Sequence, residues 1–96
     1  MNTEISTLLV RSPEVCGGQL RIDGTRITVS QIVVWYKQGY TAEEIADRYP
    51  HLTLAHVYTA LAYYHANREE IEAELAAEQA EAERLEQEHT DSLKPA

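Results

Sequence analysis

The sequence predicts a mainly α-helical domain: an N-terminal β-hairpin, a three-helix unit of helix-turn-helix (homeodomain-like) type, and a long acidic C-terminal helix. Three observations support this prediction. Apolar and polar residues alternate over 19–29 around an Asp-Gly pair, helix-capping residues recur between residues 30 and 53, and neither glycine nor proline interrupts residues 54–94. Such alternation, caps and uninterrupted segments are typical of hairpins, short helices and long helices, respectively.

The predicted hairpin turns at Asp23-Gly24, because this dipeptide readily adopts the positive φ angles of a two-residue turn. In that register Arg21 lies directly opposite Arg26, and like charges in this position destabilise a strand pair. We therefore expect an anion nearby: operator phosphate, a carboxylate of a partner, or a carboxylate of this chain, namely Glu43, Glu44 or Asp47.

Three short helices are predicted after the hairpin. Ser30 is the expected N-cap of the first, over Gln31 to Gln38. Thr41-Ala42-Glu43-Glu44 is a capping box for the second, which Pro50 ends, and Thr53 caps the third. A short helix, a turn and a second capped helix at this spacing match a helix-turn-helix.

Charge is divided unevenly along the chain. Residues 1–68 hold six acidic and six basic side chains, whereas residues 69–96 hold ten acidic ones against Arg84 and Lys94 and so carry the net charge of −8. The predicted organisation is a hairpin and helix-turn-helix domain over 1–66, followed by an acidic Ala/Glu-rich helical extension over 67–96, frayed or disordered at its end. Because phosphate repels an acidic chain, nucleic acid could bind only where a local basic surface outweighs the overall negative charge.

The candidate DNA-binding residues are the hairpin arginines and the exposed positions of the third helix: Arg21, Arg26, Thr53, His56 and Thr59. Arginines at this place could hold phosphates and position the protein. None of the helix residues reads base edges strongly, so specific readout by this helix alone is not expected.

Two further sets of residues are candidates for protein contacts. The first helix is apolar nearly all round, so we expect a second copy or an obligate partner to cover Val34 and Trp35. From Leu61 on, the residues along one helical face recur at alternating spacings of three and four, which is the pattern of the contact seam in a coiled coil. The candidate partner-binding residues on this seam are Ile71, Leu75, Glu78 and Leu85. Periodicity also predicts three core tyrosines: Tyr36, Tyr49 and Tyr58.

Catalytic motifs are absent from the sequence. It has no Ser-His-Asp arrangement and no phosphate-binding glycine loop. His65 and Glu69 lie one helical turn apart, as metal ligands can, but no third ligand accompanies them. We expect no enzyme activity, cofactor or metal, and a metal hydrolase is the least favoured reading. Without a secretion signal, a second cysteine beside Cys16 or a membrane span, a cytoplasmic location is expected.

Four short motifs occur together in the first two thirds of the chain. They are Cys16-Gly17-Gly18-Gln19, the stretch IDGTRITV from Ile22 to Val29, Gly39 with Glu43-Glu44-Ile45, and Tyr49-Pro50-His51-Leu52. In this combination, over about residues 11–66, the chain resembles the family called Domain of Unknown Function 433. The resemblance implies a compact helix-turn-helix-like domain, often regarded as an antitoxin encoded beside a PIN-like nuclease toxin. It implies no catalytic residues.

The leading hypothesis is a homodimeric antitoxin of a type II toxin–antitoxin pair. Its acidic helix would occupy the positively charged site of a PIN-like ribonuclease as a nucleic-acid mimic. Its hairpin and helix-turn-helix would contact its own operator DNA. The alternative is a protein–protein interaction module of the same fold that does not bind DNA.

Overall fold

A computed structural model describes residues 4–93, with side chains over 4–91. The protein is mainly helical, which confirms the predicted fold class. Its elements are strands β1 (Leu9–Val10) and β2 (Arg21–Ile22) and helices α1 (Val29–Lys37), α2 (Ala42–Asp47), α3 (Leu54–Ala66) and α4 (Arg68–Leu93). Short 3-10 turns at Ile5–Leu8 and Cys16–Gly18 precede the two strands. The predicted fraying of the chain end falls on residues 94–96, outside the described part.

The sheet contains one strand, β1, that the sequence does not predict. β1 and β2 are antiparallel, with Leu9 opposite Ile22 and Val10 opposite Arg21. The predicted first strand of the hairpin therefore has an additional partner upstream. This pairing joins residues that are far apart in the sequence, and no short turn motif predicts it.

The hairpin register differs from the predicted one. Arg21 forms a bridge with Thr28, so the prediction that it lies opposite Arg26 is wrong. The turn contains four residues, 23–26, rather than two. Thr25 closes this longer loop, because its hydroxyl donates to the carbonyl of one strand (2.9 Å) and accepts from the N–H of the other (3.0 Å).

Side-chain caps define the starts of the short helices. α1 begins earlier than predicted, because Thr28 rather than Ser30 is its N-cap: the Thr28 hydroxyl accepts from the N–H of Gln31, whose side chain accepts from the N–H of Thr28. Ser30 is instead fully buried within the first turn. The predicted caps at Thr41 and Thr53 are confirmed.

A break separates α3 from the predicted long C-terminal helix. α3 ends at Ala66, and Asn67 has the non-helical angles φ −137° and ψ 47°. Its side-chain amide and its backbone N–H both donate to the carbonyl of Tyr63. The Asn67 side chain thus adds a hydrogen bond to the end of α3 at the point where the helix stops. α4 then starts afresh and, at about 1.5 Å per residue, is roughly 39 Å long. The molecule is correspondingly elongated, with a longest dimension of 64 Å.

The core lies between β2, the three short helices and the first turns of α4. Its fully buried large side chains are Ile22, Val29, Ile32, Val33, Ile45, Val57 and Ile71. Burial of each such side chain contributes about 1.5–3 kcal/mol. A residue of α4 is thus part of the same core as the hairpin and the short helices.

The tyrosines take different places from those predicted. Tyr36 and Tyr58 are 38% and 54% exposed, so their assignment to the core is wrong, while Tyr49 packs against the core as predicted. Tyr64, 2% exposed, is the buried one. Because the buried stripe of α3 runs through Val57 to Tyr64, Tyr58 falls on the face that no other element covers.

Candidate protein-binding surface

The hairpin arginines differ in accessibility. Arg21 is partly buried, with its Nη2 donating to the hydroxyl of Ser12 at 3.3 Å, while its Nε and Nη1 are shielded from solvent and have no hydrogen-bond partner. Arg26 is exposed in the turn. Among residues 4–91 no carboxylate forms an ion pair with either arginine, so the carboxylates expected to neutralise them do not do so. Only Arg26 presents its charge to a DNA backbone without rearrangement.

The start of α3 presents little that could contact DNA bases. Thr53 and His56 are engaged with each other, because they form the reciprocal capping box of the helix. Thr59 is buried and its hydroxyl donates to a backbone carbonyl one turn earlier (2.6 Å), which corrects its prediction as an exposed candidate. The exposed face instead carries Leu54 and Tyr58, and α3 contains no lysine or arginine.

Trp35, one of the two candidate dimer residues, is partly covered within the chain. Its indole Nε1 donates to the Tyr49 hydroxyl at 2.8 Å, Tyr40 packs edge-on at 5.3 Å, and the Arg48 guanidinium lies 4.0 Å above the ring. Val34 is 39% exposed. A homodimer through these residues stays a prediction, but Trp35 does not depend on it for contacts.

The first turns of α4 dock on the domain through apolar contacts. Ile71 is fully buried, so its prediction as a partner-binding residue is wrong: the hairpin and short helices already enclose it. Leu75, one turn later, is partly buried against the same core. Only the later members of the predicted seam, Glu78 and Leu85, are exposed.

Carboxylates of α4 reinforce this docking. Glu70 accepts from the Tyr63 hydroxyl and lies 3.4 Å from the Arg11 guanidinium. Glu72 accepts from the Tyr64 hydroxyl (2.5 Å) and from Lys37 (2.9 Å). Further along α4, two more glutamates accept hydrogen bonds of 2.7 Å from the domain: Glu74 from Ser30, and Glu78 from Gln19. Four glutamates thus attach α4 to the domain.

The cluster around Glu72 has shifted proton affinities. The hydrogen bond from Tyr64, followed by that from Lys37, holds the pKa of Glu72 below its ordinary value of 4.5. The same hydrogen bonds raise the pKa of Tyr64 above 10.0 and that of Lys37 above 10.5. At neutral pH the three groups are therefore a carboxylate, a neutral phenol and an ammonium, the states that their contacts require.

Beyond Glu78 the helix leaves the domain. We call residues 79–91 the free half of α4; all of them are exposed. Arg84 pairs with Glu81 and Glu88 along this helix. Leu85 is 52% exposed with no core residue against it.

Within residues 4–91 no group of three potential metal-ligating side chains comes together. His65 packs edge-on against Tyr36 (5.7 Å), and the break at Asn67 separates it from Glu69, so the two do not share a helical face. No helix in the described part of the chain combines the length and apolar character needed to cross a membrane.

Comparison with known proteins identifies the family that has this architecture. The family described as protein of unknown function (DUF433) matches residues 9–64, which span both strands, α1, α2 and all but the last two residues of α3. The chain belongs to the DUF433 family. The crystal structure of a DUF433 member protein from Anabaena variabilis ATCC 29413 is similar, with 39% sequence identity and a TM-score of 0.69 over 75% of this chain and 71% of that one. No curated protein matches the chain.

The DUF433 match ends at residue 64, before α4. The family match therefore carries no information on α4. Sequence reasoning missed that Glu70, Glu72 and Glu74 hold this helix to the domain. The sequence signal was the occurrence of Tyr63 and Tyr64 with glutamates seven and eight residues later, which the break at Asn67 brings together.

Proposed function

We propose that this chain is the antitoxin of a type II toxin–antitoxin pair and neutralises a PIN-like ribonuclease through the free half of α4. The supporting observation is the charge of the part of α4 that projects from the domain: residues 79–91 hold five carboxylates against the single Arg84, and the free half is exposed along its length. A ribonuclease binds phosphate and tends to present a positive site. A helix that projects carboxylates complements such a site.

The docked base of α4 supports this role. Because Ile71 is in the core and Glu72 binds both Tyr64 and Lys37, the helix is fixed at its origin before any partner arrives. Pre-organisation of this kind lowers the entropy lost on binding. The ribonuclease would then meet a helix already held in place.

The experiment changes charge without disturbing the core. In one variant four glutamates of the free half become glutamine: Glu81, Glu83, Glu86 and Glu88. In the matched control four exposed carboxylates of the domain are neutralised in the same way: Glu4, Glu14, Glu43 and Asp47. Both variants gain the same net charge. The readout is inhibition of the ribonuclease encoded beside this chain, over a salt series.

We expect the α4 variant to bind at least about tenfold more weakly, a loss of about 1.4 kcal/mol, and the wild-type affinity to fall with salt. The control variant should inhibit like the wild type. Equal losses in the two variants, or unchanged inhibition by the α4 variant, would contradict the proposal.

A second candidate is the interaction module that does not bind DNA, and the exposed face of α3 favours it. Leu54 and Tyr58 lie where a DNA-reading helix would present polar or basic residues, and Arg21 is shielded. A gel shift with the DNA upstream of the gene separates the candidates. Operator binding would show a steep loss of affinity with salt and a dependence on Arg26, whereas the module would give no specific shift.

A further inference from the structure

The exposed seam of α4 carries information about its partner beyond net charge. We define the α4 seam as Leu75, Glu78, Ala82 and Leu85, whose spacings of three, four and three are those of positions a, d, a and d in a coiled coil. Leu75 packs on the core, whereas Leu85 is half exposed. The seam therefore begins in the domain and continues, uncovered, along the free half of α4.

Grooves border this seam on both sides. One, of about 450 Å³, lies between Gln19 and the α4 residues Ala77 and Leu85. The other, of about 470 Å³, lies between α4 and Val34 of α1. A helix lying along the seam would fill both grooves, and it would cover the exposed Val34 together with Leu85.

The charges that flank the α4 seam indicate which kind of helix would bind there. The positions flanking the free part of the seam, where coiled coils place their interhelical ion pairs, are Gln79, Glu81, Glu86 and Glu88. A second copy of this chain would set glutamates against glutamates along both edges. A helix with lysine or arginine at its edges would instead find a carboxylate at three of the four positions.

Glu78 adds a more specific requirement. It occupies a seam position, where a charged residue is costly unless a facing residue of opposite charge meets it. In the free protein its carboxylate accepts a hydrogen bond from the neutral Gln19 amide, and no cation within residues 4–91 pairs with it. An arginine or lysine from the facing helix would supply the missing charge and fix the register of the pair.

We propose that the α4 seam binds an amphipathic helix of its protein partner that has basic residues along both edges and an arginine or lysine facing Glu78. This deepens the proposed function and rests on it for the identity of the partner. The seam proposal assigns recognition of the partner to an apolar seam that contains one charged residue. The proposed function requires only the acidic surface of α4.

The test uses the full chain and two synthetic helices of about four heptads, both with leucine at the seam positions and one arginine placed to face Glu78. One peptide has lysine along its edges and the other has glutamate. Fluorescence anisotropy measures binding of labelled peptide to the wild type and to three variants. Glu78→Lys and Leu85→Ala alter the seam. Glu83→Lys changes net charge as Glu78→Lys does, but on the face away from the seam.

We expect the lysine-edged peptide to bind and the glutamate-edged one not to bind. Glu78→Lys and Leu85→Ala should each weaken binding at least about tenfold, and Glu83→Lys by no more than about threefold. Circular dichroism shows whether each variant keeps its helix content, so a loss of binding is separated from a loss of folding.

Three outcomes would overturn the seam proposal: equal weakening by Glu78→Lys and Glu83→Lys, no binding of the lysine-edged peptide, or a dimer of this chain that Leu85→Ala abolishes. The proposed function fails separately. If ribonuclease inhibition is lost in the four-glutamine variant but unchanged in Glu78→Lys and Leu85→Ala, the antitoxin role stands and the seam assignment falls. If the chain does not inhibit the ribonuclease although the peptide binds as expected, the antitoxin role falls and the seam assignment stands.

Discussion

The hydroxyl of Tyr64, near the end of α3, donates a 2.5 Å hydrogen bond to Glu72 of α4, across the break at Asn67. The same carboxylate accepts from Lys37 of α1. One side chain thus links α4 to two helices of the domain. With Ile71 buried immediately before it, the base of the acidic helix belongs to the domain, and only the free half extends from it.

Ile71→Ala should destabilise the whole domain. Removing a fully buried isoleucine side chain lowers the free energy of unfolding by about 2–5 kcal/mol. Leu85→Ala, a comparable truncation in the free half of α4, should change it by no more than about 0.5 kcal/mol. Urea denaturation followed by circular dichroism measures both. Similar effects of the two changes would mean that the base of α4 is not part of the core.

Glu72→Gln should remove a pH-dependent part of the stability. The pKa of Glu72 is lowered in the folded state, so its contribution is fully present above 4.5 and is lost as the pH falls through the lowered value. The pKa values of Tyr64 and Lys37 are raised, so their contributions are present below 10.0 and 10.5 and are lost as the pH rises through the raised values.

The difference in unfolding free energy between the wild type and Glu72→Gln is therefore expected to be constant across neutral pH and to shrink in acid. Urea midpoints measured from pH 3 to pH 9 give this difference directly. Glu86→Gln, in the free half, serves as the control and should show no such trend. A difference that stays flat down to pH 3 would indicate that the Glu72 contacts do not persist in solution.

Local signals explain why much of the fold could be predicted. The capping box predicted at Thr41 and the cap predicted at Thr53 each lie within four residues of sequence, so their hydrogen bonds depend on little else, and the structure confirms both. The cap of α1 was misplaced because Thr28 and Ser30 are both good cap residues. The choice depends on Gln31, which returns a hydrogen bond only to Thr28.

Features that depend on distant contacts could not be predicted. The hairpin register is coupled to the pairing of Leu9 with Ile22, thirteen residues away. The break at Asn67 has no glycine or proline to mark it, and it is stabilised by the contacts that α4 makes once it docks. For the candidate site, the seam spacing was visible in the sequence, but the burial of Ile71 was not.

Thr28→Ala should cost about 1 kcal/mol of stability, within a range of about 0.5–2, because the N–H of Gln31 loses its acceptor. Thr28→Ser keeps the hydroxyl and should recover most of this loss. Thermal unfolding of the two variants, compared with the wild type, provides the measurement. If Thr28→Ser is as unstable as Thr28→Ala, the loss comes from packing of the methyl group and not from the cap.

Arg21→Met should leave the stability unchanged or raise it by about 1–2 kcal/mol. The Nε and Nη1 atoms of Arg21 are shielded from solvent without hydrogen-bond partners, and such unpaired donors cost about 1–3 kcal/mol each relative to an apolar group of similar shape. Methionine retains most of the apolar stem, whereas Arg21→Ala removes it and should destabilise the hairpin. Arg26→Met, at the exposed arginine of the turn, should have no effect beyond about 0.5 kcal/mol. Marked destabilisation by Arg21→Met, measured by urea denaturation, would show that the guanidinium finds an acceptor in solution, as an arginine held for an anion would.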